Sequence, residues 1–115
     1  MIINKLSRKI ICNSVVKRKT LFEKATGLMF KKNLSEDTCY AFYFDKKQQI
    51  SIHMMFVYFS IDVLFLDENN KVVEITRLNP WKFYKSKQKS KLFLEFKAGV
   101  LRKKKVKVGD FLEIY

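Results

Sequence analysis

The sequence predicts a mainly β (α+β) fold, a single domain over residues 1–115 built as a compact, barrel-like β-sheet with one or two short helices. Three observations predict it. Between residues 39 and 76 lie four runs rich in aromatic and β-branched residues, too apolar and too short for amphipathic helices. Helical spacing of apolar residues is concentrated in a short stretch near residues 20–30. With 115 residues, 48% of them apolar, but three glycines and one proline, the chain has material for one hydrophobic core and little of the composition that keeps chains disordered.

Residues 10–16 (IICNSVV) are a β-prone run leading into a basic turn, Lys17-Arg18-Lys19. Thr20 with Glu23 three residues later is a capping-box pair: the hydroxyl accepts an orphan amide and the carboxylate reaches back. Leu21, Ala25, Leu28 and Met29 recur at helical spacing, which predicts a helix over about 20–30. Gly27 in its interior costs roughly 1 kcal/mol relative to Ala. Strands follow at 39–44 (CYAFYF), 50–59 (ISIHMMFVYF), 61–66 (IDVLFL) and 71–76 (KVVEIT). The last two are joined by a hairpin connection at Asp67-Glu68-Asn69-Asn70-Lys71, where asparagine takes positive φ at small cost.

Beyond Arg77, Pro80 and the aromatics Trp81, Phe83 and Tyr84 form an ordered lead-in to a mobile polar loop, KSKQKSK. Residues 92–98 return to alternation, with Leu92, Leu94 and Phe96 on one side and Phe93, Glu95 and Lys97 on the other. Gly99 breaks the pattern. AGVLRKKK then predicts a single helical turn, and VKVGDFLEIY a closing strand bent at Gly109-Asp110.

Net charge is +13, and it is unevenly spread. Residues 1–32 carry nine basic and one acidic side chain, 33–76 three and seven, 77–107 twelve and one, and 108–115 two acidic ones. Basic flanks therefore enclose an acidic, apolar middle. If the flanks at 5–19, 82–91 and 102–107 lie side by side, they make one basic face for an anionic partner such as nucleic acid. Lys85, Lys87, Lys89 and Lys91 alternate and, if extended, project to one side at ~6.6 Å intervals. With Lys103, Lys104 and Lys105, and with Trp81, Phe83 and Tyr84 as stacking platforms, they form a candidate anion-binding surface. A solvated lysine loop, with its aromatics packed on the sheet, is the plainer alternative.

Cys12 and Cys39 make no Cys-x-x-Cys pair and no disulfide framework, so they read as small buried residues in a reducing, cytoplasmic setting. No stretch has the length of a signal-peptide core or of a membrane span. His53 is the sole histidine, and with Met54 and Met55 on alternating sides of a strand it does not converge with them on a metal. No phosphate-binding loop, serine elbow or base-paired cysteine is present, so no cofactor and no reaction can be named. Asp62 is the most informative single residue. In an extended IDVLFL it shares a face with Leu64 and Leu66, while Ile61, Val63 and Phe65 take the other, so neither face suits water. A carboxylate there must be paired or hydrogen-bonded, either tying a neighbouring loop or lining a pocket. Glu95 is a second candidate, on the charged side of its strand.

ATGLMF at 25–30, YAFYF at 40–44, IHMMFVYFSIDVLFLDENNKVV at 52–73, PW..Y at 80–84, LEFKAG at 94–99 and VGD at 108–110 together resemble the DUF192 family, also called UPF0127, in order and spacing. His53-Met54 with Ile61-Asp62 and Leu66-Asp67 resembles its archaeal form. The resemblance covers about residues 20–112 and implies a compact, mainly β domain with one or two short helices, and little chemistry. Ser60 stands where proline often precedes Ile-Asp, Lys31 where arginine often follows GLM, and Asn70 where glycine often closes the hairpin. The position of Lys31 suggests a carboxylate partner in Asp62 or Glu95. A second functional reading follows, in which Asp62, His53, Glu95, Met29 and Lys31 line a small pocket, with catalysis left open.

Overall fold

Alternation along the central strands sends side chains into two separate cores, so the middle sheet needs cover on both faces. The structure is a computed structural model and describes residues 1–19 and 31–115. Among these, the strands are β1 (Ile2–Asn4), β2 (Ile10–Cys12), β3 (Ser14–Arg18), β4 (Thr38–Gln48), β5 (Ser51–His53), β6 (Ile61–Leu66), β7 (Val72–Leu78), β8 (Phe83–Lys85), β9 (Ser90–Lys97) and β10 (Leu112–Ile114). One short helix, α1 (Val100–Lys103), precedes β10.

The middle sheet has the order β3-β4-β9-β6-β7, with β3 parallel to β4 and the other pairs antiparallel. Every residue of β6 is buried, which explains its near-continuous apolar sequence. Leu64, Leu66, Leu92, Leu94 and Phe96 pack on one side with Ile2, Ile11, Val100 and Leu112. That side is covered by the small sheet β10-β1-β2 and by α1. Ile61, Val63, Phe65 and Phe93 pack on the other side with Tyr40, Phe42, Ile50, Ile52 and Met54. There the cover is the two-stranded ribbon β5-β8. The molecule is mainly β, as predicted, but its three sheets are open rather than closed into a barrel.

The hairpin between β6 and β7 forms as the sequence indicates: Asn70 takes φ 60°, and Asp67 Oδ1 accepts from the Asn69 and Lys71 amides. The single helical turn also forms, but the closing strand is shorter than expected: it runs only over Leu112–Ile114, and the turn that includes Gly109, at φ 100°, stands in place of a bent strand. Other expectations change. Lys17 and Arg18 belong to β3, not to a turn, because the parallel pairing with β4 continues through them. The expected strand at 50–59 pairs only over Ser51–His53. Met54 still bonds through its backbone to Lys82 O and Trp81 N, but Phe56 then turns to φ 60° and the strand ends. Ile50, Ile52, Met54 and Val57 are buried all the same, so an apolar run serves a buried loop as well as a strand. The expected helix at 20–30 lies outside the described residues. Among the described residues no helix is long and apolar enough to cross a membrane.

Candidate functional site

The lysine-rich loop is held in place by buried polar groups. Ser86 is 1% exposed: its hydroxyl accepts from the Ile50 amide at 2.8 Å and donates to Gln88 O at 2.9 Å. Glu74 on β7 is also buried, and its Oε1 accepts from both the Lys87 and Gln88 amides at 2.9 Å. Its Oε2 accepts from the Tyr84 hydroxyl. Burial, and this bond after it, push the Tyr84 phenol above its ordinary range. The expectation of a mobile loop is therefore corrected: a carboxylate that accepts three bonds clamps the chain across two turns. Sequence reasoning does not reach Glu74, because only the loop folding over it distinguishes its position from an ordinary polar one in KVVEIT.

With Ser86 and Ser90 turned inward, Lys85, Lys87, Lys89 and Lys91 are all exposed. None of them, nor Lys82, forms an ion pair among the described residues. Beside them, large aromatic surface reaches solvent: Phe83 is 72% exposed, Tyr58 54% and Trp81 49%. Trp81 meets Phe56 edge-on at 5.0 Å and Tyr58 at 6.2 Å. Both Trp81 (φ 66°) and Phe56 (φ 60°) adopt the left-handed region, which bulky residues avoid and which the surrounding structure must enforce. Two backbone bonds do so at Met54, whose O accepts from Trp81 N at 2.8 Å and whose N donates to Lys82 O at 2.7 Å. A pocket of about 340 Å³ lies next to this cluster, lined by Ser51, Ile52, His53, Phe83, Tyr84 and Lys85.

The other candidates separate. Asp62 packs on the α1 side of the middle sheet, where Oδ1 accepts from Arg77 Nε at 2.9 Å and Oδ2 from the Gly99 amide at 2.8 Å. Both oxygens are engaged, so the carboxylate ties β6 to β7 and to the start of α1. Gly99 itself adopts φ 95°, a left-handed conformation that glycine takes at no steric cost. Glu95 points to the opposite face, opposite Tyr40 on β4 and Val63 on β6. Its side of β9 is core and not a charged surface, being the face that Phe93 shares with Tyr40 and Val63. Glu95 is 5% exposed, and burial, which disfavours the charged form, pushes its carboxyl up to about 8.

Lys31 lies over the Tyr40 ring at 5.6 Å, as does the Arg18 guanidinium at 5.4 Å, which puts two cations on the tyrosine that neighbours Glu95. Lys31 forms no ion pair with Asp62 or Glu95 among the described residues. His53 sits on the ribbon, its Nδ1 accepting from the Met55 amide at 3.3 Å, across the middle sheet from Asp62. Met29 lies outside the described residues. Among the described residues, Asp62 therefore lies on the other side of the middle sheet from His53 and Glu95.

The basic flanks do not form one face either. Lys104 and Lys105 lie with Lys9 and Lys107 around a cleft on the β1 side, while the 82–91 lysines lie on the ribbon side. Lys103 is paired with Glu36 at 3.2 Å. The two cysteines are buried against each other, and a thiol–thiol hydrogen bond with Cys12, then burial, raises Cys39.

Among known proteins, the model of the DUF192 family, described as an uncharacterized ACR, matches residues 4–114. A UPF0127 protein of Thermococcus sibiricus is 34% identical over 113 residues, covering 98% of this chain and 73% of its own length. One from Pyrococcus horikoshii is 37% identical over 95 residues, 79% of this chain and 78% of its own. A solved structure from Sinorhizobium meliloti 1021, named as a candidate transcription regulator, superposes with TM-score 0.82 at 24% identity, over 86% of this chain and 79% of that one. A protein of unknown function from Novosphingobium aromaticivorans superposes with TM-score 0.79 at 21% identity, over 87% and 74%. These two share the fold.

Proposed function

The chain belongs to the DUF192 family, and from that premise we propose that it is a noncatalytic binding module whose ribbon face takes single-stranded nucleic acid. The observation that carries this reading is the exposed cluster Trp81, Phe83 and Tyr58 beside Lys82, Lys85, Lys87, Lys89 and Lys91, which form no ion pair among the described residues. Aromatic faces stack bases without regard to sequence, and ammonium groups track the phosphates. A surface that served only solubility would not need aromatic rings held in left-handed conformations, whose backbone cost is of order 1–3 kcal/mol each. Clamping by Glu74 and Ser86 keeps the lysines in place before binding, which lowers the entropy lost on association. Two buried, reduced thiols suit a cytoplasmic setting.

Trp81 is the only tryptophan, so it reports on this face directly. Titration with a short oligothymidylate at low salt is expected to quench its fluorescence to saturation, and heparin, a polyanion without bases, to leave it nearly unchanged. Absence of quenching at low salt, or equal quenching by heparin, overturns the reading.

A further inference from the structure

We propose that the cleft between the β1–β2 connection and the segment after α1 is a separate binding site for a compact oligophosphate. The cleft holds about 210 Å³ and is lined by Lys9, Lys104, Lys105 and Lys107, with Asn4 and Asp110 also in its wall. Such a cleft is wide enough to admit a few waters or a small polyanion in their place. Among the described residues none of these four lysines forms an ion pair, whereas their neighbours Arg8 and Lys103 are matched with Glu113 and Glu36. The one lining carboxylate orders the loops, Asp110 Oδ2 accepting from the Lys107 amide at 2.9 Å and from Asn4 Nδ2 at 3.2 Å, and four lysines against this one carboxylate leave the lining net positive. Asn4 Oδ1 in turn accepts from the Leu6 and Ser7 amides. These polar atoms thus fix the two loops, and the four lysines line the cleft between them. Such an arrangement focuses positive potential and selects anions of high charge density.

The backbone supplies an independent sign. Helix α1 ends with the Val106 amide donating to Leu101 O and the Lys105 amide donating to Arg102 O, the paired bonds of a Schellman motif. Lys105 occupies its left-handed position at φ 57°, where glycine is strongly favoured. A cleft lysine therefore stands where stability prefers a residue without a side chain, the pattern expected where a local rule yields to a ligand. The site is on the β1 side of the middle sheet, away from the ribbon face, and stands whether or not the ribbon binds nucleic acid.

The test is titration of the full chain with inorganic triphosphate, followed by amide chemical shifts, alongside Lys105→Gly and the double variant Lys9→Ala/Lys107→Ala. One-to-one saturation is expected, with shifts confined to residues near 4–9 and 104–110 and Trp81 fluorescence unmoved. Lys105→Gly should raise the melting temperature by about a few degrees while weakening triphosphate roughly tenfold, and the double variant should weaken it further. A purely structural lysine would not move stability and affinity in opposite directions. Shifts spread equally over the 82–91 lysines, affinity no tighter than for sulfate at equal ionic strength, or unchanged affinity in both variants would overturn the proposal. Displacement of triphosphate by oligothymidylate would assign the cleft to a nucleic-acid strand and would overturn it as well.

Discussion

Asp62 and Glu95 lie one register step apart on neighbouring strands, and the pleat of the sheet gives them opposite fates. Both oxygens of Asp62 meet fixed donors, so it stays within a charged network. Glu95 meets tyrosine and aliphatic surface, so burial holds it neutral. Its folded value, about 8, lies above the ordinary 4.5 of the unfolded chain, and between these the native state binds the extra proton. The resulting stability is complete below pH 4.5 and is lost as pH rises toward 8, by an amount on the order of a few kcal/mol. Urea unfolding across that range should show this decline. Glu95→Gln should flatten the profile and exceed the wild-type stability above pH 8, and an unchanged slope in the variant would place the titration elsewhere. The need of Asp62 for partners was legible, because its strand leaves no wet face. The environment of Glu95 was not, because Lys97 two residues on is exposed and only distant segments cover Glu95 itself.

Elements were legible where local chemistry decides them. The hairpin at 67–71 rests on asparagine's tolerance of positive φ, and the turn at α1 on the glycine before it. The segment 50–59 was misread as one strand because its apolar residues keep a period of two only as far as Met54; tertiary pairing with 81–85 decides the rest. The same holds for the lysine loop, whose order comes from Glu74, a residue more than ten positions earlier. Glu74→Ala should release the Lys87 and Gln88 amides to rapid hydrogen exchange and weaken oligothymidylate several-fold, even though it adds a unit of positive charge to the molecule. Binding that strengthens instead would show that bulk charge, and not a preformed loop, governs the interaction.

At the scale of the whole molecule, the charge map follows the layering only in part. The acidic, apolar middle third supplies β4, β6 and most of β7, while the basic segments supply the edge strand β3 and the central strand β9 of the same sheet as well as β1, β2, β8 and α1 outside it. Whether the flanks converge could not be read from the sequence, since that depends on which face each small sheet covers. The structure divides them between the ribbon and the β1 sheet, giving two basic surfaces of different character, one aromatic and extended, the other concave. The most direct test of this account is the salt dependence of oligothymidylate affinity in two triple variants, Lys85→Ala/Lys87→Ala/Lys89→Ala and Lys9→Ala/Lys104→Ala/Lys107→Ala. Each phosphate contact on a single strand contributes about 0.7 to the slope of log K against log salt. The first variant should therefore lose up to about 2 in slope, and the second should keep the wild-type slope. Equal losses in both, or a loss confined to the second, would contradict the assignment of the nucleic-acid surface to the ribbon.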